Sequence, residues 1–258
     1  MAVDLSPERF IAIEDLIERV VMALRNKQPF GLTRWADSSN WIMTHGGEPA
    51  DAYRYREGYL GSTDWPYFRE AFLRGVDLAD IVGVHPNDRG TKQAMDSAGL
   101  DLTGKALINP WCNRYVNCWR EWTDEVLGGE WTVALVGNHM PAYALWMRDH
   151  FPRLRIVIVH TASHWLEVRA AMSLMGQTKP QLALLGAGWY TSCLVGAARA
   201  AGAVALSYGF TARDHLLGDF LPNTNYPRGR EGAEAYMRTV RPNAVNEDQL
   251  RPRRDISI

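Results

Sequence analysis

The chain has 258 residues, 47% of them hydrophobic, enough to bury a sizeable core in one large domain or two small ones. Lys and Arg number 28 against 29 Asp and Glu, a formal net charge of -1, which excludes a global bias toward nucleic acid or anionic membrane while leaving room for local patches. No apolar run approaches the ~20 residues of a membrane span, and the opening residues lack the basic-then-apolar order of a secretory signal.

Cys112, Cys118 and Cys193 are odd in number and form no CxxC pair, so they read as reduced thiols filling a core. The expected compartment is therefore the cytoplasm. The 10 Trp and 10 Tyr are efficient core material, and some are available to stack on a sugar or base ring.

In chain order, the first expected element is a helix over about 7–25. Ser6 precedes it as a cap, Pro7 suits its first position, and Phe10, Ile13, Ile17, Val20 and Leu24 recur at steps of three and four. Phe30 to Trp35 reads as a strand running into Ala36-Asp37-Ser38-Ser39. Residues 46–66, with Gly46, Gly47, Pro49, Gly58, Gly61 and Pro66, read mostly as loop, carrying Tyr53, Arg54, Tyr55, Arg56 and Tyr59. A loop of that length is often functional.

Strands are then expected at 81–84, 106–109, 133–136, 156–159, 182–185 and 204–207. Helices marked by Tyr115 to Val126, by the stretch up to His150, by Trp165 to Met175, and by the small-residue run ending at Ala201 lie between the later ones. Near-continuous apolar strands alternating with helices argue for an α/β fold: one Rossmann-like, mostly parallel sheet with helices on both faces. This single domain spans 1–222, and the Pro- and Arg-rich stretch 223–258 reads as an irregular tail.

In such a sheet, ligands sit beyond the carboxyl ends of the strands. Those ends present Arg34 and Asp37; His85, Asn87 and Asp88; Asn109; Asn138 and His139; His160 and Ser163; and Gly186 and Gly188. Many of these are also favoured capping types. The run Leu184-Leu185-Gly186-Ala187-Gly188-Trp189-Tyr190-Thr191 is strand, glycine turn and helix start, a place where backbone amides approach an anion. It lacks the third glycine and following acidic residue of a dinucleotide fingerprint, which argues against a dehydrogenase. Arg34 followed three residues later by Asp37 suits a diphosphate held by a guanidinium and a divalent metal held by a carboxylate. A structural ion pair between the two fits the spacing equally well.

Residues 29–37, following an amphipathic helix, resemble the opening of GT-D-fold glycosyltransferases, whose Arg-x-Gly-Asp-Gly-Glu signature serves metal and nucleotide-sugar. Residues 184–209 are similar to that family's late strand, glycine turn, helix and strand, and Val133 to Asn138 fits its middle strand. The resemblance follows the element order over roughly 8–217. It implies a UDP-type nucleotide-sugar donor and a site formed by Arg34, Asp37 and the Gly186 turn, with Ser38, Ser39, Asn138, Gly188 and Thr191 beside the donor. Ala36-Asp37-Ser38-Ser39 replaces Gly-Asp-Gly-Glu, so the second carboxylate is missing and a divalent ion (Mn or Mg) at Asp37 has one charged ligand fewer.

The expected activity is sugar transfer to an acceptor hydroxyl: a glycan, a small molecule or a hydroxymethylated DNA base. In the last case the Tyr53 to Tyr59 stretch would provide stacking and phosphate contact. Asp37, Asp88, His85 and His139 are the catalytic candidates. Two other classes are weighed. One is a metal-dependent hydrolase drawing on Asp37, His85, His139, His160 and His164. The other is a non-catalytic nucleotide-binding protein on the same scaffold.

Overall fold

The structure, a computed structural model, describes residues 3–35, 39, 40, 43, 64–86, 88–209 and 211–216. Asp37, Ser38, Asn87, the Tyr53 to Tyr59 stretch and the tail from residue 223 lie outside the described residues.

Each apolar run becomes a strand of one sheet: β1 (Phe30–Arg34), β2 (Ile81–Gly83), β3 (Ala106–Ile108), β4 (Thr132–Gly137), β5 (Arg155–His160), β6 (Leu182–Gly186) and β7 (Val204–Ser207). All are parallel, in the order β3-β2-β1-β7-β6-β4-β5. Both faces are covered, which explains the near-continuous hydrophobicity of the strands. Successive residues feed opposite cores: Val133, Leu135, Leu182 and Leu184 go to one, Ala134, Val136, Ala183 and Leu185 to the other.

The helices divide between those cores. On the first face lie α1 (Ile13–Arg25), α4 (Cys112–Tyr115) with the turns that follow it, α5 (Met140–His150) and α8 (Thr211–Leu216). On the second lie α2 (Trp65–Leu78), α3 (Arg89–Ser97), α6 (Trp165–Thr178) and α7 (Thr191–Ala200). Steps from β1 to β2, β2 to β3, β5 to β6 and β6 to β7 move one way along the sheet with helices on the second face. Steps from β3 to β4 and β4 to β5 move the other way and use the first face. A constant crossover hand requires this pairing of direction and face.

Three expectations need correction. The single helix over 7–25 is a 3-10 turn at Pro7–Arg9 followed by α1. Between them Phe10 bridges to Leu107, and the Ile11 amide donates to Leu107 O at 2.8 Å. Phe10 belongs to the second core and Ile13, Leu16 and Ile17 to the first, and one helix stripe cannot fill cores on opposite faces of a sheet. The cap differs as well: Asp15 reaches back to the Ala12 amide at 3.0 Å, and Ser6 makes no side-chain cap.

The helix read from Tyr115 to Val126 is broken. A 3-10 turn at Val116–Cys118 follows α4, Trp119 is extended, and Trp122–Leu127 winds as a π-helix. The break lets Tyr115, Trp119 and Trp122 all turn inward, with the Trp119 indole donating to Glu14 Oε1 on α1 at 3.1 Å.

Finally, α2, α3 and α8 were not anticipated. Trp65 and Pro66, placed in the loop above, begin α2, whose Phe68, Phe72 and Val76 are buried at four-residue steps. That periodicity was present in the sequence. Among the described residues, no helix is long and apolar enough to cross a membrane.

Candidate functional site at the strand ends

At the carboxyl end of the sheet, β1 leads to α2 on the second face, while its neighbour β7 leads to α8 on the first. Divergent exits open a crevice between adjacent strands, the standard ligand position in open α/β sheets. Arg34, the last residue of β1, occupies it.

Its guanidinium is gripped from three directions. Nε donates to Ser207 Oγ at the end of β7 at 3.0 Å, and Nη1 donates to Pro110 O and to Asn113 Oδ1, both at 3.1 Å. All three acceptors are neutral. Among the described residues no carboxylate pairs with Arg34, and Nη2 has no hydrogen-bond partner there. Burial, chiefly, lowers the pKa of Arg34; Cys112 opposes the shift and the nearby Arg114 cation adds to it. An arginine nonetheless remains charged at any ordinary pH. The arrangement is therefore a fixed positive charge with one edge uncommitted among described groups, suited to an anion.

Two glycines flank this arginine. A Cβ on Gly83 would lie 3.1 Å from Arg34 Cγ, and one on Gly209 would lie 2.6 Å from Nη2. Gly209 has a φ of 52°, a left-handed conformation that glycine adopts without strain.

The other candidate residues are distributed as follows. Ser39 is buried. Asp88 is the N-cap of α3: Oδ1 accepts from the Gly90 and Thr91 amides at 2.9 and 3.2 Å, and Oδ2 from the Thr91 hydroxyl at 2.9 Å. Its partial burial works to raise the pKa. The bonds from Thr91 and Gly90, with the charge of His85, outweigh that and hold it below the ordinary carboxyl value.

The cap is tied to the turn after β1, since Thr91 Oγ1 accepts from Asn40 Nδ2 at 2.9 Å and Asn40 Oδ1 from the Trp35 indole at 2.5 Å. His85 is half-buried just past β2, and His139 is half-buried at the N-cap position of α5. Asn138 is exposed and accepts from the Ser163 hydroxyl at 2.8 Å.

In the glycine turn, Thr191 Oγ1 takes the Ala187 amide at 3.0 Å, so that amide is already satisfied within the chain. Gly188 is exposed with φ 57°. Gly186 packs so that an added Cβ would stand 2.7 Å from Gly209 O, which sets the turn beside the residue that covers Arg34. The structure thus brings Arg34 and the Gly186 turn together through Gly209, and keeps Asp88 with Thr91 and Asn40 in a separate network.

Asn113, Ser207, Gly83 and Gly209 carry roles that the sequence reading missed. Ser207 and Gly209 lie inside the segment that resembles the transferases, whereas nothing in the local sequence marks Asn113. Among the described residues, no group of three or more His, Cys, Asp and Glu is placed to hold a metal ion. Cys112 and Cys193 are free and buried; burial pushes the Cys112 thiol up to about 12 and raises Cys193 as well, so neither supplies a thiolate near neutrality. A groove of about 710 Å3 runs along α2 past Arg69, Leu73 and Asp77 to Leu100 and includes none of the strand-end residues. Its mixed charges suit no single ligand class, and the crevice at Arg34 has the stronger chemistry.

The sheet order and the crossover pattern define a Rossmann-like α/β protein. Comparison with family models matches residues 11–214 to the GT-D fold-like domain, so the chain belongs to the GT-D-like family. The chain matches no curated protein and no solved structure.

Proposed function

We propose that this protein is a glycosyltransferase that moves a sugar from a UDP-type nucleotide-sugar to an acceptor hydroxyl, with Arg34 holding the donor diphosphate. The observation that carries the reading is a guanidinium fixed by Ser207, Pro110 and Asn113 without a carboxylate partner among the described residues. Leaving-group charge that develops on a diphosphate is stabilised best by a donor oriented beforehand, because no reorganisation is needed at the moment of reaction. The acceptor, whether glycan, small molecule or hydroxymethylated DNA base, approaches from the strand ends. Asp88 is engaged by its helix cap, so we assign the acceptor proton to His85 or His139, at the ends of β2 and β4.

A divalent ion is the group the fold family implies. Ser39 stands where the signature has Glu, so such an ion would have one charged ligand fewer, and among the described residues no carboxylate pairs with Arg34. Asp37 with Mn²⁺ or Mg²⁺ is treated as a variable of the experiment. Ser39 also favours a second reading, a nucleotide-binding protein without turnover.

The test is thermal denaturation with UDP, GDP, CMP and their sugars, with and without Mn²⁺, on wild type and Arg34→Ala. A ligand at 100 times its Kd stabilises by about 2.7 kcal/mol. Stabilisation of wild type and not of Arg34→Ala by one nucleotide family supports the donor site. No shift with any nucleotide sinks it. Binding without sugar release, across glycan, small-molecule and modified-DNA acceptors, selects the second reading.

A further inference from the structure

Asn113 makes an unusual contribution to the site, and it rests on the reading of Arg34 as an anion-binding group. The residue is buried, and its amide nitrogen and its amide oxygen are both hydrogen-bonded. Oδ1 accepts from Arg34 Nη1 at 3.1 Å, and Nδ2 donates to Tyr208 O at 2.8 Å and to Thr211 Oγ1 at 3.3 Å. The Thr211 hydroxyl in turn donates to the Asn113 carbonyl at 2.6 Å.

These partners fix which way the amide points. A carbonyl oxygen only accepts, and the Thr211 proton is spent on the Asn113 carbonyl, so both groups on that side need a donor. The amide nitrogen must face them, and the oxygen must face Arg34. Asn113 thereby ties the guanidinium to the end of β7 and to α8, while Ser207 fixes its Nε edge. An aspartate here would set a carboxylate oxygen against Tyr208 O and cancel the charge of Arg34. Asparagine fixes the plane and leaves the charge.

We propose that Asn113 is the positioning residue for Arg34, a neutral clamp that orients the guanidinium so that its Nη2 edge and its full charge serve an anionic diphosphate.

The test uses the full chain labelled with ¹⁵N, with inorganic pyrophosphate and UDP as probes. The Arg34 Nη1–H resonance, whose acceptors are Asn113 Oδ1 and Pro110 O, is identified by its loss in Arg34→Ala. In wild type it is protected from exchange. In Asn113→Ala it exchanges at least tenfold faster, and pyrophosphate binding weakens at least tenfold. A folded Asn113→Asp, whose carboxylate pairs with Arg34, retains the protected resonance yet binds pyrophosphate at least tenfold more weakly. A merely structural Asn113 would lower the unfolding temperature in both variants without this split. Unchanged exchange in Asn113→Ala, or a folded Asn113→Asp that binds pyrophosphate like wild type, overturns the proposal. Absence of pyrophosphate and UDP binding in wild type overturns the donor-site reading instead, and the exchange rates in Asn113→Ala still decide whether Asn113 positions Arg34.

Discussion

Gly209 lies so close to Arg34 that a methyl group on its Cα would stand 2.6 Å from Arg34 Nη2 and 2.6 Å from Asn113 Nδ2. The end of β7 is therefore shaped around the guanidinium it covers. Replacing this glycine asks for two things at once: a left-handed backbone in a residue with a Cβ, which costs about 1–2 kcal/mol, and displacement of two side chains held by hydrogen bonds. Gly209→Ala is expected to lose about 2–3 kcal/mol in urea unfolding. It should also weaken diphosphate binding beyond what that loss explains, and unchanged binding would show that Nη2 is not the contact edge.

Asp88 separates a structural role from a catalytic one. Loss of an N-cap costs about 1 kcal/mol, and Asn caps as well as Asp. Asp88→Ala should therefore destabilise by about that amount at neutral pH, while Asp88→Asn stays near wild type. Because the folded pKa of Asp88 is depressed, the charged cap contributes above its ordinary value of 3.8 and is lost as pH falls through the folded value; the advantage of wild type over Asp88→Asn should shrink there. If Asp88→Asn is stable but abolishes transfer, the carboxylate has a role beyond the cap.

Glu14 shows the opposite sign. Burial first, then the nearby charges of Asp15 and Glu121, raises its pKa against the bonds that favour ionisation, and its Oε2 is buried without a hydrogen-bond partner among the described residues. A raised folded pKa gives a contribution that is full below the unfolded value, near 4.5, and lost as pH rises through the folded one. Glu14→Gln keeps an acceptor for the Trp119 indole and removes the charge. It should be more stable than wild type at pH 7, and a gain of about 1 kcal/mol would raise Tm by about 2–4 °C. Melting curves across pH should show the gap closing in acid; a gap that widens there contradicts the assignment.

The crossing of α2 and α7 depends on Gly75 and Gly196. A Cβ on Gly75 would overlap Ser192 O, a backbone atom that cannot rotate away, and one on Gly196 would stand 2.8 Å from Gly75 Cα. Gly75→Ala is expected to cost about 3 kcal/mol by forcing the helices apart. Because Ser192 Oγ meets Thr33 Oγ1 at 2.7 Å next to Arg34, the same variant should loosen the end of β1. Denaturant unfolding reads the first effect and nucleotide affinity the second.

Residues 81–84, 133–136, 182–185 and 204–207 declared themselves as strands, because short β-branched or aliphatic runs between turn residues can bury both faces only in a covered parallel sheet. Arg34 and the Gly186 turn could be placed at the ligand edge from the same rule. The helix at Trp65 was readable from Phe68, Phe72 and Val76 but was hidden by the Gly- and Pro-rich stretch before it. The break at Phe10 was not readable, since a 3.6-residue period says that a side chain is buried and not on which side of the sheet.

What the sequence alone determined is the fold class and the sheet edge at which its polar strand-end residues gather. The tertiary structure alone decided which strand ends are neighbours. β7, the last of the described strands, inserts between β1 and β6, bringing Ser207 to Arg34 across 173 residues, while Asn113 arrives across 79. Local patterning fixes the face and direction of a strand but not its place in the order, which is set by how whole crossovers pack. The neutral acceptors that hold Arg34 become visible only once that order is known.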